Sequence, residues 1–201
     1  MARAHRSLVF LPALCAILLV MIRHGLVEFR QISHPSEIGA RQTRELVECW
    51  TAVANAGGAV GFAFPPVGLE QVAPVAERLI ADLDPQRSRL LLAVVDGALA
   101  GWLNLSRHVD PLVAHWGTVN RVQTHPGYRG RRIGAAMMHR IRQIGRDEMG
   151  LEQLRLCARG GAGLEDFYGR LGWKEIGRWP AALRFGADDD RDEILMILAP
   201  L

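Results

Sequence analysis

Tyr128-Arg129-Gly130-Arg131-Arg132-Ile133-Gly134-Ala135-Ala136 leads from an apolar stretch ending at Thr124 into a run with helical spacing, and its reading decides the fold. Two glycines and three arginines at a strand-to-helix turn predict a phosphate cradle. A helix N-terminus presents unpaired N–H groups and a partial positive charge, and glycine lets a ligand come close to that backbone. The spacing rules out two common cradles. A dinucleotide loop needs G-x-G-x-x-G and a nucleoside-triphosphate loop G-x-x-x-x-G-K-[ST]. Here Gly130 and Gly134 stand four apart, and the only lysine in the chain is Lys174. An ordinary Walker kinase or ATPase is excluded.

Downstream, Leu164, Phe167, Tyr168 and Leu171 form the apolar face of a short helix, with Gly172 as its C-cap and Trp173 after it. With both segments in hand, the chain resembles the GNAT superfamily of acyl-CoA-dependent N-acetyltransferases. That family's signature, Arg/Gln-x-x-Gly-x-Gly/Ala, is followed at a distance by Phe-Tyr-x-x-x-Gly-Phe/Trp. Arg129 stands at the first signature position and Gly134 at the last, while Phe167, Tyr168, Gly172 and Trp173 match the second block. Arg132 replaces the first signature glycine, an exchange that ordinary helical φ would accommodate, and an outward guanidinium there could bind phosphate. Gly161 stands where the family often carries asparagine.

The resemblance implies an α+β, GNAT-like fold: one domain around a mixed, mostly antiparallel sheet flanked by helices, splayed at one point to admit the acyl-CoA. It also implies acetyl-CoA as co-substrate, held by Val122, Gln123, Thr124, Arg129, Gly130, Arg131, Arg132, Ile133, Gly134 and Ala135. A backbone N–H near Val122 or Gln123 would receive the oxyanion. Tyr168 matches the family tyrosine that protonates the departing thiolate, and Phe167 is assigned to the core. For the general base the sequence offers little: Glu165 and Glu70 are candidates, and Asn120 could order a water.

The order of elements fits. A strand is expected at Val27–Ile32, with Ser36 as a helix N-cap candidate before a helix carrying Leu46, Trp50 and Val53. Leu69, Val72, Ala76, Leu79 and Leu83 predict a second helix despite Pro74. Arg89–Val95 and Ala98–Leu105 flank Asp96-Gly97, a strong hairpin signal. A strand from His115 to Thr124, a helix with Ile133, Met137, Ile141 and Ile144 on one face, and strands at Gln153–Ala158, Trp173–Gly177 and Glu193–Leu198 complete the pattern. The acidic run Asp188 to Glu193 reads as a loop between the last two strands, either a rim favouring cationic amines or a hydrophilic hairpin tip. Trp102, Asn104, His108 and Trp116 are candidates to line the acceptor pocket, and His125 is a loop residue near the cofactor entrance.

Residues 1–24 form an apolar N-terminal extension and residues 25–201 the N-acetyltransferase domain. The extension is apolar from Leu8 to Ile22 but interrupted by Pro12, and shorter than the ~20 residues that span a bilayer. It belongs to no expected element, and three readings are open: an upstream start taken in error ahead of Met21, a membrane anchor, or a packed or partner-binding appendage. The first makes the protein cytoplasmic, without a membrane partner. Three widely spaced cysteines form neither a disulfide framework nor a metal site, and Cys157 reads as a buried, inert thiol. The net charge of +3 is mostly arginine interleaved with acids, so no nucleic-acid partner is expected. The chain reads as an enzyme passing an acetyl group directly to the amine of a small molecule or a protein. A non-catalytic acyl-CoA-binding or regulatory module is the alternative, and a homodimer is left open.

Overall fold

In the computed structural model, which describes residues 17–22, 25–58 and 60–201, Asp96 and Gly97 both adopt left-handed φ, 51° and 80°. Two consecutive positive φ values give a two-residue turn whose twist matches its strands. Around it β3 (Ser88–Val95) and β4 (Ala98–Arg107) pair antiparallel. With β1 (Ile17–Ile22), β2 (Gly25–Ile32), β5 (Trp116–Thr124), β6 (Gln153–Arg159), β7 (Lys174–Gly186) and β8 (Asp189–Leu198), they build one eight-stranded sheet in the order β1-β2-β3-β4-β5-β6-β8-β7. Every pairing is antiparallel except β5 with β6.

The continuous apolar run of β3 follows from its place in the middle of the sheet, where both faces are covered. Leu90 and Leu92 pack with Trp50, Val72, Ala76 and Trp102 beneath α1 (Ala40–Asn55) and α2 (Leu69–Ala81). Leu91 and Ala93 pack on the other face with Ile133, Met137 and Ile141 of α3 (Ile133–Gln143). Tyr168 of α4 (Leu164–Gly169) joins this second cluster. Left-handed Gly172 (φ 89°) turns the chain after α4 so that the Trp173 N–H reaches the Tyr168 carbonyl at 3.1 Å. The helix expected to carry Ile144 ends at Gln143 and continues as a π-type turn, Ile144–Glu148.

Three expectations are corrected. Ser36 does not cap α1: it lies in a 3-10 turn, Pro35–Glu37, and α1 starts from Gly39, whose N–H donates to Gln42 Oε1 at 2.9 Å. The N-terminal segment does contribute an element, since Ile17–Ile22 is an edge strand paired with β2; residues 1–16, with Pro12 and Cys15, lie outside the described residues. The acidic run is not a loop, because β8 begins at Asp189. Among the described residues no helix is long and apolar enough to cross a membrane.

Candidate active site

β5 and β6 pair only at Trp116–Thr118 with Gln153–Arg155. Beyond that point β5 keeps its ladder to β4, and β6 keeps its ladder to β8 as far as Arg159, so the two strands diverge. Val119 to Thr124 therefore have no strand partner on the side that faces β6, and main-chain groups there are available to a ligand. The opening is a cleft of about 1420 Å³, larger than the ~300–1,000 Å³ usual for small-ligand sites. Its walls include Thr124, Tyr128 to Gly130, Arg132 to Ala135 and Leu164, Phe167 and Tyr168 of α4, together with the segment after α1, Asn120 to Gln123, Cys157 to Arg159, Ala182 to Phe185 and Glu193.

The α3 N-terminus opens into this cleft. Its first intrahelical bond runs from the Ala136 N–H to the Arg132 carbonyl at 3.0 Å, which leaves the Ile133, Gly134 and Ala135 N–H groups without intrahelical partners. No side chain caps this end and no acid lies in its first turn. Anions are favoured there by both the free donors and the helix dipole. A Cβ at Gly134 would stand 3.4 Å from both Phe167 Cζ and Thr124 Oγ1, at the close edge of van der Waals contact. Arg132 corrects the expectation of helical φ. It sits in the left-handed region at φ 64°, where an arginine is strained and glycine is not.

Of the residues singled out for the cofactor, Val122, Gln123, Thr124, Arg129, Gly130, Arg132, Ile133, Gly134 and Ala135 all line the cleft. Arg131 does not; its guanidinium covers the Tyr128 ring, 5.2 Å from the centroid. His125 serves the turn, its Nδ1 accepting from the Gly127 N–H at 3.2 Å. Tyr168 lines the cleft, is 6% exposed, and stacks edge-on against Phe167 at 5.0 Å. Burial pushes its phenol pKa well up, so it keeps its proton throughout the neutral range. Phe167, assigned to the core, is half-buried and shares the cleft wall.

The candidate bases fare differently. Asn120 lines the cleft, with its Nδ2 donating to the Thr118 carbonyl at 3.4 Å. Glu165 does not line it and pairs with Arg178 at 3.8 Å. Glu70 is exposed in the first turn of α2. Trp102 is fully buried under α1, and neither it nor Asn104, His108 or Trp116 lines the cleft; His108 and Trp116 stack on each other at 4.5 Å. The acids of β8 are not a free rim either. Asp189 bonds Arg191, Asp190 bonds Arg184 through two 2.8 Å contacts, and Asp192 bonds Arg178 at 3.1 Å. The Arg184 guanidinium holds the Asp190 carboxyl below its usual pKa, while the Ala181 N–H, followed by Arg178, does the same for Asp192.

Cys157 also corrects its expectation. Alternation along β6 sends Leu154, Leu156 and Ala158 into the core and leaves Cys157 exposed in the cleft, on the face that the splay uncovers. Partial desolvation by the surrounding walls, with Glu193 nearby, raises its pKa, so it is a neutral thiol. Glu193, expected only as the end of an acidic run, is the sole carboxylate among the described cleft-lining residues, and Arg121, which the sequence did not single out, lines the cleft as well. The strand pairing shifts between Trp102 and Asn104, and Arg121 occupies this β-bulge at φ 53°. A signal existed: Val119 and Val122 face the same core three residues apart, where an unbroken strand would place them two or four apart.

Residues 61–173, more than half of the chain, match the family model described as Acetyltransferase (GNAT) family. Two curated relatives, each named mycothiol acetyltransferase, are similar over shorter stretches. The one from Mycolicibacterium vanbaalenii is 40% identical over 76 residues, covering 37% of this chain and 23% of the relative. The one from Thermomonospora curvata is 37% identical over 75 residues, covering 37% and 24%. The matched part thus spans about a quarter of these relatives. Among solved structures, ribosomal-protein-alanine N-acetyltransferase from Brucella melitensis superposes with a TM-score of 0.64 at 17% identity, covering 90% of this chain and 99% of that one. This last likeness is one of fold.

Proposed function

We propose that this chain, which belongs to the acetyltransferase (GNAT) family, transfers an acetyl group from acetyl-CoA to an amine by direct attack with both substrates bound. The observation that carries the reading is the convergence on one cleft of the uncapped α3 N-terminus, the unpaired edge of β5 and the buried Tyr168. These residues fit the co-substrate. The free N–H groups of Ile133, Gly134 and Ala135, with Arg129 and Arg132 alongside, suit a diphosphate. The unpaired backbone of Val122 and Gln123 suits the amides of a pantetheine arm and the oxyanion that develops on the transferred acetyl. Acetyl-CoA supplies an activated thioester when bound.

The remaining work falls to side chains. Tyr168, held neutral by burial, donates its proton to the departing thiolate. Glu193, the carboxylate in the cleft wall, takes the role of general base that Glu165 is too far engaged with Arg178 to fill. Calorimetric titration with acetyl-CoA tests the binding half of this reading, with loss of binding expected in Arg129→Glu. Tyr168→Phe and Glu193→Gln are each expected to lower kcat on the order of 10²-fold, with acetyl-CoA affinity kept. Wild-type kcat in both variants would remove these roles, and absence of acetyl-CoA binding by folded protein would end the reading.

A further inference from the structure

Arg121 lines the cleft from the unpaired stretch of β5. Its residue is held at left-handed φ in the β5 bulge, a conformation that strains an arginine and collects at functional sites. The guanidinium lies 5.1 Å over the Trp50 ring, on the α1 face of the sheet, and its Nε is buried without a hydrogen-bond partner. Burial lowers its pKa and no carboxylate raises it again. Its neighbour Gln123 is 1% exposed, lines the cleft, and leaves both amide atoms unpartnered. Buried polar groups are nearly always bonded, so a cluster of unbonded ones lining a cleft marks the seat of a polar ligand. The α3 cradle lies against the opposite face of the sheet, with the other core cluster, so phosphates held there leave Arg121 unneutralised.

We infer that the acceptor is an amine that also carries an oxyanion group, carboxylate or phosphate, received by Arg121 with the Gln123 amide beside it. The inference rests on the acetyl-transfer reading. A carboxylate on the same wall, Glu193, suits the amine end, so the two charges of the acceptor meet two opposite charges in one cleft. The acids of β8 do not compete for Arg121, because Asp189, Asp190 and Asp192 are bonded to other arginines.

Matched amine pairs test it: glycine against glycinamide, and phosphoethanolamine against ethanolamine. Free thiol release from acetyl-CoA is compared as kcat/KM per free amine, with acetyl-CoA affinity measured alongside. At least about a tenfold preference for the charged member of one pair is expected, as for a charge-assisted bond; which pair shows it identifies carboxylate or phosphate. Arg121→Gln should erase the preference through KM while leaving acetyl-CoA affinity unchanged, and Arg121→Lys, which keeps the charge, should restore part of it. If acetyl-CoA binds yet neutral members react as well, or no charged member reacts, or both variants keep the preference, the inference is overturned and acetyl transfer stands. If acetyl-CoA does not bind, both fall.

Discussion

Arg132 shows how a single residue can satisfy a motif chemically while straining it sterically. The turn into α3 needs left-handed φ there, 64°, and arginine meets that need against the clash of its Cβ with the backbone. Arg132→Gly is expected to stabilise the fold by about 1 kcal/mol, read as a rise in Tm of about 2–4 °C for a chain of this size. A lowered Tm would mean that the exposed guanidinium makes contacts worth more than the strain. At this scale the signature residues were legible, because Arg129, Gly134, Tyr168 and Trp173 are fixed by local chain geometry and stand at recognisable spacing. Arg121 and Cys157 were not. Their placement in the cleft depends on a bulge and on a splayed strand pair, which are properties of two strands at once and leave only the three-residue spacing of Val119 and Val122 as a trace.

Between elements, the segment that follows α1 matters most, since it lines the cleft and has little regular structure of its own. Two side chains of α1 fasten it. Trp50 Nε1 donates to the Val60 carbonyl at 2.8 Å, while Asn55 grips both sides of Val67, accepting from its N–H at 2.7 Å and donating to its carbonyl at 3.0 Å. The positions of α1, α2 and β2 to β6 were readable from periodicity, but these clamps were not, because nothing in a sequence pairs Asn55 with Val67. Asn55→Ala removes two part-buried hydrogen bonds and should destabilise the protein by roughly 1–3 kcal/mol. The loosened wall should raise KM for the acceptor amine while acetyl-CoA affinity, which we propose is set at α3, stays within twofold, about the scatter of such measurements. An equal loss of both affinities would show that the segment supports the whole cleft.

Across the whole molecule, the sheet separates its site from its far edge. The cleft opens between β5 and β6, whereas β1 lies beyond β2, β3 and β4 and pairs with β2 alone. A chain beginning at Gly25 should therefore retain wild-type acetyl-CoA affinity, because none of the cleft-lining residues is lost and β2 stays anchored to β3 through six registered pairs from Val27–Val95 to Ile32–Leu90. The price falls on the new edge. Without β1, the outer N–H and C=O groups of β2 lose their partners, and an unpaired edge strand is a template for pairing with another chain. Leu26, already 42% exposed, adds apolar surface at that edge. Sedimentation velocity of the truncated chain should show concentration-dependent self-association beyond that of the full chain, alongside an unchanged calorimetric affinity for acetyl-CoA. A truncated chain with no greater self-association than the full chain would show that β1 is not what guards the β2 edge, and a weakened affinity would show that the edge strand reaches the site through the sheet.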